Sequence, residues 1–261
     1  MAASPIVVLP GDVIPSHALP KGTGKKKTLT LGPGLRHIPP DTIVTTIAGA
    51  LATDDKKNAA AVECNTGRVS SKHHSSSLSW THPLISTQYM PYVGDLVIAT
   101  VNGSSAENFN CLLTPNTPYA ALPHLAFEGA TKKTRPQLPP NSLVYCRIAS
   151  AGKDLPPELT CVDPSTGKSE GLGLLKSGML FKISLGMARR MLAARGGIAL
   201  LEAMGAKVGF EVTVGRNGLV HVDGGNVKTT LAVGQAIQEV DQQALGDEGQ
   251  RRVAAEFLKT I

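Results

Sequence analysis

Gly94-Asp95-Leu96-Val97-Ile98-Ala99-Thr100-Val101-Asn102-Gly103 decides how the rest of the chain is read. A Gly-Asp pair opens the run and an apolar stretch rich in β-branched residues follows. Asn-Gly closes it with two residues that tolerate positive φ. Four more short strands come after it: Phe109-Asn110-Cys111-Leu112-Leu113, Tyr119-Ala120-Ala121-Leu122, Ser142 to Ala149, and Leu159-Thr160-Cys161-Val162. Five strands within about 75 residues, with the longest gap after the third, predict a small five-stranded barrel of the OB type.

Downstream the hydrophobic period changes. Leu180–Leu185 predicts a strand; Met187, Met191 and Leu192, then Ile198, Leu200, Leu201 and Met204, recur at helical spacing around Gly196-Gly197. Val208–Val214 and Leu219–Val222 predict two strands joined by Gly215-Arg216-Asn217-Gly218, with helices at about 227–244 and 248–260. The order β-α-α-β-β-α is that of a KH module, with the methionines in its core.

Upstream, Ile6-Val7-Val8-Leu9 predicts a strand ended by the turn Pro10-Gly11-Asp12. Lys21 to Lys27 is a Gly/Lys loop, Leu31-Gly32-Pro33-Gly34-Leu35 a turn, and Thr42–Ala48 a β-branched strand. Residues 53–79, rich in Asp, Lys, Ser and His, predict a polar loop between strands in which His73-His74 is solvated, not metal-binding. The chain is therefore expected to be mainly β with an α+β C-terminal part. Its three modules are an N-terminal β domain (1–84), a five-stranded OB-type barrel (85–166) and a KH-type α/β domain (167–261).

Composition excludes several classes. With 42% hydrophobic and 18% charged among 261 residues, a wholly disordered chain is ruled out. No apolar run approaches the roughly 18 residues of a membrane helix. The stretch from Ala2 to Pro10 lacks the basic lead and apolar length of a signal peptide. Cys64, Cys111, Cys146 and Cys161 are scattered, without the paired spacing of a zinc site, and are expected to be reduced thiols. No cofactor is expected.

The net charge is +6. Residues 1–84 carry nine Lys/Arg against five Asp/Glu, residues 85–166 five against six, and residues 167–261 twelve against nine. On the nearly neutral middle module, three of the five cations fall together at Lys132, Lys133 and Arg135. Such a cluster is a candidate anion site, the alternative being a solvated basic loop.

Catalytic patterns fail one by one. Ser165-Thr166-Gly167-Lys168-Ser169 resembles the end of a phosphate-binding loop, but Val162 stands where the first Gly belongs, and Asp163-Pro164 makes the segment a turn after a strand. Gly171-Leu172-Gly173 is not a dinucleotide fingerprint, because position 176 is Lys. The acidic residues are dispersed, and Glu239 and Asp241 diverge by about 200° on a helix, so no pair of divalent ions is held. Gly103-Ser104-Ser105-Ala106-Glu107 misses the nucleophile elbow at its last position. What remains is a binding surface. OB barrels stack bases on aromatic side chains while cations track phosphates, and Phe109 and His124 are the candidate stacking residues. The alternatives are a core phenylalanine and a hydrogen-bonding histidine.

The motifs in order are Pro10-Gly11-Asp12, Gly32-Pro33-Gly34-Leu35, Tyr92-Val93-Gly94-Asp95, Phe127-Glu128-Gly129-Ala130-Thr131-Lys132-Lys133-Thr134-Arg135-Pro136, Pro157-Glu158-Leu159-Thr160-Cys161, Gly167-Lys168, Gly171-Leu172-Gly173 and Gly215-Arg216-Asn217-Gly218. Over nearly the whole chain this series closely resembles the ribosomal-RNA-processing protein 40 family, also called exosome component 3. The resemblance implies a non-catalytic cap subunit of the eukaryotic RNA exosome, with an N-terminal β domain, an S1 barrel and a KH domain. Such a subunit sits with two other S1/KH cap proteins on a ring of RNase-PH-like subunits. It stabilises the ring and guides single-stranded RNA toward 3′→5′ exoribonucleases, rRNA maturation included. Its expected location is the nucleus and nucleolus, and also the cytoplasm. The resemblance further implies that Gly215, Arg216, Asn217 and Gly218 form a turn packing KH against S1, and it places the S1 pattern's Phe and His on Phe109 and His124. The chain departs from the usual KH pattern in having Ala194-Arg195-Gly196-Gly197-Ile198 where the G-x-x-G clamp belongs. Its stretch before Phe109 also lacks the second S1 aromatic. Both departures point to weak RNA affinity in the isolated subunit. Two rival readings are a stand-alone S1/KH RNA-binding protein of translation or ribosome assembly, and a nuclease or NTPase built around Gly167-Lys168.

Overall fold

Alternation of apolar and polar residues builds a strand-rich chain whose two units divide between Thr87 and Gln88. A computed structural model describes residues 6–20, 28–54, 58–63, 89–115, 117–152, 155–193, 198–243 and 245–259. Among these, no helix is long and apolar enough to cross a membrane.

The first unit holds β1 (Val7–Val8), β2 (Thr30–Leu31), β3 (Leu35–Ile38), β4 (Thr42–Thr45), β5 (Gly49–Asp54) and β6 (Ala59–Glu63). They form a four-stranded sheet in the order β1-β5-β6-β2 and a β3-β4 hairpin. Val8, Ile14, Ile43, Ala60 and Val62 are its buried apolar residues among those described. Gly32-Pro33-Gly34 runs against β6, with the Val62 amide donating to the Pro33 carbonyl at 3.0 Å. At Gly34 (φ +84°) a Cβ would lie 2.7 Å from side-chain carbons of both Ile47 and Val62, so only glycine fits. The polar loop expected over 53–79 needs correction: Ala59–Glu63 is a strand, in register from Ala59↔Asp54 to Glu63↔Ala50. Three alanines carry little strand propensity, yet Ala60 and Val62 are buried alternately on one face. Residues 64–79, His73 and His74 included, lie outside the described residues.

The second unit begins with the expected barrel. Its strands are β7 (Leu96–Ser104), β8 (Asn108–Leu112), β9 (Ala120–Pro123), β10 (Leu143–Ser150) and β11 (Glu158–Thr160), with β12 (Gly173–Leu175) added at an edge. The sheet order is β11-β9-β8-β7-β10-β12, and the pairing of β11 with β10 closes five strands into a barrel. Residues of the inner face, among them Val97, Ala99, Val101, Phe109, Cys111, Leu122, Val144, Cys146, Ile148 and Leu159, form one core. β12 pairs with β10 from Leu175↔Leu143 to Gly173↔Tyr145, so the barrel's sheet takes in residues beyond 166.

The remaining chain runs β13 (Met179–Lys182), α1 (Leu185–Met191), α2 (Ala199–Gly205), β14 (Glu211–Gly215), β15 (Leu219–Asp223), α3 (Val227–Gln242) and α4 (Asp247–Phe257). This is the expected β-α-α-β-β-α order followed by the second expected closing helix, and the sheet order is β13-β15-β14. β13 stops short of the expected Leu185 because Ser184 caps α1, its Oγ accepting from the Met187 amide at 3.1 Å. Ser184 is itself fixed by Asp241 of α3, whose carboxylate accepts from both the Ser184 amide and hydroxyl. Met187 and Met204 are fully buried in this second core.

Candidate nucleic-acid interface

Prolines at 123, 136, 139 and 140 keep the connection between β9 and β10 from extending either strand. The connection is nonetheless held firmly. Leu138 plugs into the barrel core, and the Cys161 amide donates to the Ala126 carbonyl at 2.9 Å. Thr131 and Thr134 close a turn between themselves, their hydroxyls 2.8 Å apart and each bonded to the other's amide. Lys132 and Lys133 occupy the tip of that turn. Both are exposed, and neither has a hydrogen-bond or ion-pair partner among the described residues.

Glu128 ties this loop to the next hairpin by accepting from the Ser169 amide at 2.8 Å. Hydrogen bonds from Ser169, helped by the charge of Lys168, hold the Glu128 carboxyl below its ordinary range. The phosphate-loop look-alike therefore stands beside Glu128, at the start of the loop that carries Lys132 and Lys133, but its amides are committed elsewhere. Ser165 N donates to Asp163 Oδ1 at 2.8 Å, and Gly167 N to the Asp163 carbonyl at 2.9 Å. Asp163 in turn pairs with Arg147 at 2.9 Å, and its carboxyl is depressed mainly by the Ser165 hydrogen bonds. A turn whose amides already serve Asp163 and Glu128 does not cradle a phosphate.

Arg135, the third cation, is joined to the barrel wall. Its Nη1 lies 3.1 Å from His124 Nδ1, and His124 Nε2 lies 3.1 Å from Ser104 Oγ. A guanidinium only donates, so Nδ1 is the acceptor and the imidazole is neutral, with its proton on Nε2. Ser104 Oγ donates onward to the Ser105 carbonyl at 3.2 Å and is free to accept from Nε2. Burial, with the Arg135 charge second, lowers the His124 pKa and reinforces the neutral form.

Phe109 and His124 are brought together, with ring centroids 4.3 Å apart and planes tilted by 57°. The expectation that they offer stacking surfaces is corrected by their exposure, 3% and 6%. Alternation along β8 points Phe109 and Cys111 inward and Asn110 outward, and the ring fills the barrel. Both ring nitrogens of His124 are spent on protein partners. Two exposed aromatics on this module that the sequence did not single out for stacking are Tyr92, 61% exposed, and Tyr119, 47% exposed, whose hydroxyl accepts from Asn102 Nδ2 at 3.0 Å. The phase of the alternation into β9 would have found Tyr119, since Ala120 and Leu122 point inward.

The Gly215–Gly218 turn packs directly on the barrel. Asn217 Nδ2 donates to the carbonyls of Ile98 (2.8 Å) and Leu113 (2.7 Å), and its Oδ1 accepts from the Ile98 amide at 3.3 Å. The Arg216 amide donates to the Leu96 carbonyl at 2.8 Å, and Arg216 Nε sits 3.7 Å from the buried Asp95 carboxylate, which Tyr89 also binds. A Cβ on Gly215 would lie 2.3 Å from Asn217 Oδ1, and Gly218 turns at φ +77° against the Ile183 carbonyl. The segment 194–197, where a KH clamp would be, lies outside the described residues. Among the described residues no three His, Cys, Asp or Glu side chains converge to hold a metal ion.

Comparison with known proteins matches each module. Residues 29–68 match the family described as the exosome complex exonuclease Rrp40 N-terminal domain, and residues 89–173 the exosome complex component RRP40 S1 domain. Residues 178–228 match a KH domain. Among individual proteins, the chain is 32% identical to exosome complex component RRP40 of Drosophila melanogaster, covering 95% of this chain and 94% of that one. It is also 32% identical to exosome complex component rrp40 of Schizosaccharomyces pombe over 97% and 94% of the two chains. A crystal structure described as an exosome complex RNA-binding protein shares the fold over 66% of this chain and 97% of that one, with a TM-score of 0.53 at 21% identity. From the closed barrel, the hairpin that staples the KH module to it and this near-complete coverage of the relatives, the chain belongs to the exosome complex component RRP40 family.

Proposed function

We propose that this chain is a non-catalytic RNA-binding cap subunit of the RNA exosome. It braces a ring of RNase-PH-like subunits beside two other S1/KH cap proteins. It guides single-stranded RNA into the channel for 3′→5′ processing and degradation, including rRNA maturation. The observation that carries this reading is the match to relatives named exosome complex component RRP40 along almost their whole length. The site adds a physical reason: Lys132, Lys133 and Arg135 sit on a loop held by the barrel core, two of them unpaired, and cations so mounted suit a phosphate backbone. The described residues neither gather carboxylates for a metal ion nor free a phosphate cradle, which suits guiding RNA better than cutting it. We place the protein in the nucleus and nucleolus, with a cytoplasmic share.

Affinity purification of the tagged chain from its own cells tests the assignment. Ring subunits and other cap subunits should co-purify in near-equal amounts, and purified chain incubated with RNA and Mg²⁺ should leave it intact. A chain that purifies alone and binds short RNA tightly favours the stand-alone S1/KH reading. RNA cleavage or ATP turnover lost in Lys168→Ala favours the enzyme.

A further inference from the structure

We infer that His124 is a positioning residue for RNA binding: its neutral imidazole is the acceptor that aims the Arg135 guanidinium, and it stacks on no base. The inference rests on the reading that Arg135 contacts the RNA backbone. His124 is 6% exposed, with Phe109 against its ring and both nitrogens engaged, so no base reaches its face. What it does offer is a fixed acceptor at the end of β9, in line with Ser104 and the Ser105 carbonyl.

Arg135 gains from such an anchor. It is an exposed side chain, and an arginine with free rotamers gives up their entropy when it grips a phosphate. Here one N–H is held on Nδ1, while the remaining donors have no partner among the described residues. Pro136 restricts the Arg135 backbone from the other side, since a residue before proline is confined to extended geometry. One guanidinium N–H is thus held, and the backbone that carries it restricted, before any RNA arrives. A protonated imidazole could not serve, because Nδ1 would then donate toward a cation.

The exosome reconstituted with the full-length chain or its variants is titrated with a fluorescein-labelled oligouridylate at several salt concentrations, reading log affinity against log salt. One phosphate contact contributes about −0.7 to that slope for single strands. Arg135→Ala should flatten the slope by about that amount, and His124→Ala should match it, with the double variant no flatter than either. An asparagine places its amide oxygen near the Nδ1 position and a glutamine places its own near Nε2. His124→Asn should therefore retain the wild-type slope while His124→Gln loses the contact, although both keep a polar group in the same cavity. Equal slopes for His124→Asn and His124→Gln, or a His124→Ala slope like wild type beside a flattened Arg135→Ala, overturn the positioning role alone. An Arg135→Ala slope equal to wild type, or no binding by the complex that holds the wild-type chain, overturns the backbone-contact reading beneath it.

Discussion

Asn217 grips Ile98 at both its main-chain carbonyl and its amide, 119 residues away in sequence. β8 pairs with β7 only from Thr100 onward, so the start of β7 is an open edge, and the Asn217 amide completes it the way a strand would. Asn217→Ala would leave the Ile98 amide and the Ile98 and Leu113 carbonyls buried without that partner. A loss of at least about 3 kcal/mol is expected, at roughly 1 or more for each of the three stranded groups. Urea unfolding followed by hydrogen exchange should show it, with barrel and KH amides losing their common protection. A cost under about 1 kcal/mol would contradict the staple.

Gly215 has no room for a side chain, because a Cβ would press on Asn217 Oδ1 and, at 2.8 Å, on the Ile98 nitrogen. Gly215→Ala should cost about 1–3 kcal/mol. Part of that cost should vanish when Asn217→Ala is already present, a coupling readable from a double-mutant cycle. Strict additivity would mean that the two residues do not share one contact.

The His124 pKa lies below its ordinary value of 6.5 because of burial and then the Arg135 charge. The unfolded chain therefore binds a proton at His124 more readily than the folded one. Stability from this residue is complete above about 6.5 and falls as pH drops through the window below it. Thermal unfolding across that window should slope downward toward acid, and His124→Asn should flatten the slope. An unaltered slope would show that other groups carry it.

Cys111 and Cys161 have thiol pKa values pushed up to about 12 by burial, and burial raises Cys146 as well. Thiolate is the reactive form, so iodoacetamide at pH 8 should leave all three unlabelled in native protein and label them on unfolding. Rapid native labelling of Cys146, by peptide mass, would contradict a closed barrel.

The barrel strands were legible because β-branched residues and Gly, Asn and Pro turns marked each one. The KH order was legible because helical spacing replaced alternation at Met187. β6 was hidden by alanines, which bury well in a sheet but do not announce one. At the site, residue type alone named Phe109 and His124, whereas their role depends on facing. Alternation could have turned Phe109 inward. Nothing local announces that a loop would fold back to bring Arg135 onto His124. The Gly215–Gly218 turn read as a hairpin from its residues, and its packing on the barrel came only from the family resemblance. The spacing gives no hint of Ile98.

The central claim is that three cations on one loop of the proposed cap subunit track the RNA backbone. Its most direct test is the salt dependence of RNA binding by the exosome reconstituted with Lys132→Ala, Lys133→Ala and Arg135→Ala combined. The account predicts a slope flatter by about 2, from three contacts of roughly 0.7 each. A slope identical to that of the complex with the unaltered chain would contradict it.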